Sequence, residues 1–337
     1  MSALRGSEHE ALPRVRHLPE KEESRKYVRM RRIFVSIVWA GLVLAMILPS
    51  GRTARAETVR IGVLPVLDAL PLQVATQDGL FLEQGLDVEL VPFQSALERD
   101  MAAQAGRIDG YFGDLVAALL LLRSDVPMPA LLVSYRTTPG HPMFALVTTP
   151  GRKGATLADL KGASVGISTS TIIEFLLDRL EARHHLPRDY FRRVEIKKFP
   201  LRLQMLATGQ IDLALLPEPL VSLNVLKGGS LAATDGDLNL PLTVVCLHER
   251  LRPQFPAFRA AYAEALERLT RDPESYRELM VRSCAIPAPL TARFPVPPYP
   301  APVPPTRTEL DDVQDWMLDH GLLQARIPFE RAVALAH

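Results

Sequence analysis

From Val59 onward, short apolar runs of strand length alternate with longer amphipathic runs of helical period. Val59–Val63 predicts a first strand, followed by a helical run through Phe81, a strand over 87–91 and a helix over 97–105. Gly106-Arg107-Ile108-Asp109 then opens another apolar run, which closes at Gly113-Asp114. The same order returns. A strand over 163–167, a helix over 171–182, a strand over 194–197 and a helix over 201–207 lead into Gly209-Gln210-Ile211-Asp212, and the apolar run that follows closes at Pro217-Glu218. Each Gly stands where a helix ends in a left-handed turn. Strands alternating with helices predict parallel sheets built from right-handed crossovers. A repeat of this length that occurs only twice predicts two similar α/β lobes rather than a solenoid.

The segments around the repeats complete the plan. Residues 115–122 read as a buried helix, and 130–135 and 143–148 as strands on either side of a turn at Pro139-Gly140. Pro150-Gly151-Arg152-Lys153-Gly154 is the linker candidate. Later, 242–247 reads as a strand, and 255–270 and 273–282 as amphipathic helices. Residues 286–306 hold nine prolines, which rules out a helix or a central strand and predicts an extended strap. An amphipathic helix over 309–320 ends at Gly321.

The 337 residues suffice for two ordinary domains, and 47% apolar residues supply their cores. The net charge of +1 hides an asymmetry: residues 1–56 hold eleven Lys or Arg against five acids, and the remainder 28 against 33. An acidic body without a basic, aromatic-interleaved patch argues against nucleic acid as a partner. Residues 33–48 form an apolar run, preceded by Arg29, Arg31 and Arg32 and followed by Ala54-Arg55-Ala56. At 16 residues this is short for a membrane span, and it predicts a secretory signal peptide within a leader of 1–56, cleaved after Ala56. An uncleaved anchor is the alternative, and translation from Met30 would leave a signal peptide of ordinary length. Export exposes Cys246 and Cys284 to an oxidising compartment. Their spacing fits neither a metal site nor a redox pair, and two buried free thiols are the expectation.

The stretch from Val59 to Leu115, with Gly79-Leu80-Phe81 and Gly85-Leu86-Asp87-Val88-Glu89-Leu90, resembles the periplasmic solute-binding proteins of nitrate/sulfonate/taurine-type and thiamine-pyrimidine-type ABC importers. Residues 157–219, with Asp159-Leu160-Lys161-Gly162, carry the matching pattern of the second lobe. The resemblance implies a bilobal clamshell of the type 2 periplasmic-binding-protein kind, its two parallel-sheet lobes joined by hinge strands. Lobe I would comprise 57–149 and 240–337, including the strap 286–306, and lobe II 150–239. It further implies a monomer that captures a small organic solute by closure and delivers it to an inner-membrane ABC permease, with no cofactor and no metal.

Ligands of open α/β sheets bind beyond the carboxyl ends of the strands. That rule selects Leu67 and Asp68, Phe93, Gln94 and Ser95, and Asp114 in the first lobe. In the second it selects Ser168, Thr169, Ser170 and Thr171, with Pro217 and Glu218. The four hydroxyl residues precede a helix, where side chains and free N–H groups hold an acidic group or simply cap the helix. Asp68, Asp114 and Glu218 would accept hydrogen bonds from an amine or amide and repel a bare anion, though capping is the expectation for Asp114. Asp109 and Asp212, at the opposite strand ends, are expected to be structural. The chain lacks Gly-x-Gly-x-x-Gly, Walker, His-Glu-x-x-His and Gly-x-Ser-x-Gly signatures. The same fold serves enzymes, so the expectation of a binding protein without catalytic residues rests on the resemblance and on the signal peptide, since those enzymes' pathways belong inside the cell. Pyrimidine-synthase or menaquinone-pathway enzymes of the same fold, and a periplasmic sensor, are the alternatives.

Overall fold

The computed structural model describes residues 29–30, 57–152 and 154–335. The chain divides into units of residues 1–55 and 56–337. All strands and helices considered below lie in the second unit. The apolar run 33–48 and the cleavage motif 54–56 lie outside the described residues.

The body is built from one supersecondary unit used twice. In the first copy β1 (Val59–Val63), β2 (Val88–Pro92) and β3 (Gly110–Gly113) alternate with helices Leu70–Gln77 and Ala96–Gln104, and β4 (Ala130–Arg136) follows helix Leu115–Arg123. Next comes β5 (Phe144–Thr148). The second copy holds β6 (Ser164–Ile167), β7 (Arg192–Glu195) and β8 (Leu213–Pro217), alternating with helices Ile172–Arg183 and Phe199–Ala207, and β9 (Leu231–Thr234) and β10 (Pro241–Leu247) follow.

The Gly-x-Ile-Asp repeat has a structural cause. Gly106 and Gly209 take φ of +64° and +70° after their helices, a conformation in which a Cβ is strained. Asp109 Oδ2 then accepts from Arg60 N at 2.8 Å, and Asp212 Oδ2 from Ser164 N at 2.9 Å. Each aspartate thus ties the start of the third strand to the first.

The copies also share a buried arginine that the sequence reading missed. Arg99 and Arg202 are 1% and 0% exposed. Arg99 Nη1 donates to Phe112 O and Arg202 Nη1 to Leu215 O, both at 2.8 Å. Glycine in the first strand of each copy makes room for them: a Cβ at Gly62 would stand 3.2 Å from Arg99 Cγ, and one at Gly166 2.9 Å from Arg202 Cγ.

Two five-stranded sheets result, in the orders β2-β1-β3-β10-β4 and β7-β6-β8-β5-β9. β1, β2 and β3 pair parallel, as do β6, β7 and β8. The parallel core of each sheet is extended by antiparallel strands, because β10 runs antiparallel to β3 and β4, and β5 antiparallel to β8 and β9. The cause is the route of the chain. β5 leaves the first lobe and enters the second sheet where β8 ends, and β10 returns the same way, so each inserts head to tail. The strand at 143–148, assigned above to lobe I, therefore belongs to the second sheet, and the first crossing lies at 137–143 rather than near 149. The return crossing lies at 235–240. The two crossings hold each other: Thr137 N donates to Leu240 O at 3.2 Å, and Leu240 N to Thr137 Oγ1 at 3.1 Å.

Helices Phe255–Arg271 and Arg277–Ser283 pack on the first lobe, burying Phe258, Tyr262, Leu269 and Met280. The proline-rich segment threads back along it, with Val133 N donating to Val303 O at 2.7 Å and Tyr299 Oη to Leu67 O at 2.7 Å. Helix Arg307–Asp319 bridges to the second lobe. Trp316 meets Phe175 edge to face at 5.4 Å, and its Nε1 donates to Asp178 Oδ2 at 2.7 Å. Cys246 and Cys284 are buried free thiols.

Candidate functional site

The carboxyl ends of the parallel strands converge on the crossings. Asp68, in the turn after β1, is 4% exposed. Burial pushes its carboxyl up to about 6; the nearby Thr243 hydroxyl and its own backbone N–H hold it back, and the charge of Asp114 adds to the rise. The turn is anchored from two directions, as Ser134 Oγ donates to Asp68 O at 2.6 Å and contacts Tyr262 Oη at 2.7 Å.

On the return crossing, Asp235 is fully buried. Its Oδ1 accepts from Met143 N at 3.0 Å, and its N–H donates to Phe144 O at 3.0 Å, so this residue links both crossings. Burial pushes its carboxyl up to about 7; the N–H groups of Phe144 and Met143 oppose the rise, and the charge of Asp68 adds to it. Among the described residues, Asp235 Oδ2 is a buried atom without a hydrogen-bond partner. Glu218 follows β8, with its N–H on Met143 O at 2.8 Å. Burial raises its carboxyl as well, against the pull of hydrogen bonds from Ser222 N and Oγ at 3.0 and 2.9 Å.

Tyr135, at the end of β4, lies among these acids. Burial raises its phenol first, and the charges of Asp68, Asp235 and Glu218 follow. Its ring meets that of Tyr299, from the proline-rich segment, edge to face at 6.0 Å. The floor at the crossings is therefore a group of carboxylates with two tyrosine rings beside it. Such a floor accepts hydrogen bonds from N–H groups and favours positive charge.

Of the residues selected from the sequence, Leu67, Asp68, Pro217 and Glu218 belong to this floor or flank it. The others have local duties in this structure. Asp114 caps helix Leu115–Arg123 through Ala117 N at 2.9 Å. Its carboxyl is raised by burial and held back by that N–H and by Arg99. Ser95 caps helix Ala96–Gln104 through Glu98 N at 3.2 Å, with exposed Gln94 donating its N–H to Glu98. Phe93 is half-buried beside Gly62. Ser168 Oγ accepts from Arg202 Nη2 at 3.0 Å, and Thr171 caps the next helix through Ile173 N at 3.2 Å. Thr169 and Ser170 donate backbone N–H groups to Glu195 and Glu174 at 2.8 and 2.6 Å. Ser170 holds φ at +57°, so this loop is shaped by its own carboxylates.

Tyr135, Asp235, Thr243 and Tyr299 were not selected from the sequence. Asp235 lies in a Thr-Asp-Gly turn and Tyr299 in a proline run, patterns that signal loops. Only Tyr135, at a strand end, carried a usable signal. Among the described residues, no group of three or more His, Cys, Asp or Glu is arranged to hold a metal ion. No described helix is long and apolar enough to cross a membrane.

Two α/β sheets that exchange one strand each through a pair of crossings define the bilobal fold of periplasmic binding proteins. The alkanesulfonate-binding protein SsuA from Xanthomonas axonopodis pv. citri, bound to MOPS, superposes with a TM-score of 0.69 at 19% identity, covering 82% of this chain and 97% of that one. The periplasmic aliphatic sulphonate binding protein SsuA from Escherichia coli does so with a TM-score of 0.69 at 18% identity, with the same coverage of 82% and 97%. At these identities the likeness is one of fold. The NMT1/THI5-like family model matches residues 67–275, and the chain belongs to that family. It is also 30% identical over 130 residues to the bicarbonate-binding protein CmpA of Synechococcus elongatus, over 36% of this chain and 26% of that protein. The chain thus spans about a quarter of the length of that curated relative.

Proposed function

We propose that this protein is the extracytoplasmic solute-binding component of an ABC importer. It captures a small organic solute between its lobes and passes it to an inner-membrane permease, by binding and hinge closure without chemistry. The observation that carries this reading is the convergence of both sets of strand ends on the crossings. A group bound there touches both lobes and the segments that must bend when they move. Family membership and the fold it shares with sulphonate-binding proteins support the same reading. Export to the periplasm, with cleavage after Ala56 and a monomeric product, belongs to the proposal. So does the choice of Asp68 and Glu218 as solute contacts from opposite lobes.

A thermal-shift screen of the purified protein against sulfonates, bicarbonate, thiamine precursors, flavins and aromatic acids tests the proposal. A solute at about 100 times its Kd stabilises the native state by about 2.7 kcal/mol. At least one class is expected to raise the melting temperature in a saturable way. Turnover of a stabilising compound would instead favour an enzyme of the same fold. Mass spectrometry of periplasmic extract should find an N-terminus at Glu57, and a membrane-retained product would contradict the soluble form.

A further inference from the structure

Asp68 and Asp235, at the crossings, depart from the way this protein treats several of its other buried acids. Asp109, 4% exposed, pairs with Arg250 Nη2 at 2.5 Å. Glu181, 2% exposed, pairs with Arg193 Nη2 at 2.6 Å. Asp114 has a helix N-terminus and the charge of Arg99. By contrast, neither Asp68 nor Asp235 forms a salt bridge within 4.0 Å among the described residues. A buried carboxylate without a counter-charge is strongly unfavourable in its ionised form, and carboxyls perturbed in this way cluster at functional sites. A second, independent feature points the same way. Among the described residues, Asp235 Oδ2 belongs to a residue 0% exposed and has no hydrogen-bond partner, although most buried polar groups in proteins have one. The rings of Tyr135 and Tyr299 complete a surround suited to a cation.

We propose that the solute carries a protonated nitrogen, as an ammonium, amidinium or protonated N-heterocycle, and that Asp68 and Asp235 receive it. The inference rests on the solute-binding reading and deepens it. Asp235 also makes the link to closure. Its Oδ1 already ties the two crossings together through Met143 N, so a cation on Oδ2 binds at the hinge itself. An oxyanion in the same place would meet uncompensated carboxylates, and like-charge juxtaposition of that kind costs several kcal/mol.

The test uses matched probes at pH 7.5: methyl-, butyl- and benzylammonium against methane-, butane- and benzylsulfonate, by thermal shift and then calorimetry on the purified protein. At least one ammonium is expected to bind about tenfold or more tighter than its sulfonate twin, the ratio that 1.4 kcal/mol represents. Asp235→Asn and Asp68→Asn should each erase that preference while the ligand-free melting temperature does not fall, because both remove a buried charge. A panel in which sulfonates stabilise and ammoniums do not overturns the charge inference and leaves the solute-binding reading standing. A panel in which neither series acts counts against both. Preference for ammonium that survives both substitutions overturns the assignment to this floor.

Discussion

Replacing Arg202 with Met keeps the apolar stem and removes the guanidinium from the centre of the second lobe. The guanidinium donates to Leu215 O at 2.8 Å, to Ile196 O at 3.2 and 2.6 Å, and to Ser168 Oγ at 3.0 Å. Burial pulls its pKa down to about 10, with Glu195 opposing, so it remains charged at neutral pH. Hydrogen bonds to a charged donor are worth about 1.5–3 kcal/mol each. The variant loses them at three acceptors, while the cost of desolvating the guanidinium disappears. Leaving a buried neutral acceptor unsatisfied costs about 1–3 kcal/mol, and three acceptors are left here. Arg202→Met should therefore lose about 3 kcal/mol or more in urea unfolding at pH 7.5, a large share of the 5–15 kcal/mol typical of a folded domain. Arg99→Met, its counterpart in the first lobe, should lose a comparable amount. A loss below about 1 kcal/mol at Arg202, with an unchanged urea dependence, would refute the view that these arginines hold the strand ends in place.

Asp235→Asn keeps the acceptor for Met143 N and removes the charge. Because burial raises the Asp235 carboxyl to about 7, against about 3.9 in the unfolded chain, the folded state binds more protons between these values. Stability should thus fall as pH rises from about 4 to 7, and the Asn variant should flatten that slope and melt higher at pH 7.5; a steeper slope in the variant would contradict the assignment. Gly166→Ala would bring a Cβ within 2.7 Å of Ile211 Cδ1 and 2.9 Å of Arg202 Cγ. It should cost about 1–3 kcal/mol by overpacking, and a neutral result in thermal melts would show that the close approach is not needed.

The duplicated plan was legible because its markers perform local work. Gly106 and Gly209 end helices, and Asp109 and Asp212 bind the neighbouring strand, so type and spacing survive in both copies. Membership of β5 in the second sheet was not legible, since Phe144–Thr148 is an apolar strand that suits either sheet. Only the long-range register with Leu213–Pro217 decides it. The group of acids at the crossings shows the same division. Asp68 and Glu218 follow from the rule about strand ends, whereas Asp235 and Tyr299 reach the floor through crossings and a strap whose paths the pattern does not encode. The hydroxyl loop illustrates the converse: Ser168 and Thr171 stand at a strand end, yet Arg202 and a helix N-terminus engage them.

Capture between moving lobes is the central claim, and small-angle scattering tests it most directly. With a saturating amount of the solute that raises the melting temperature most, the radius of gyration should be smaller than in the ligand-free protein. Asp235→Asn should keep the larger value under the same conditions. An unchanged radius of gyration at proven saturation of the parent protein would contradict the account.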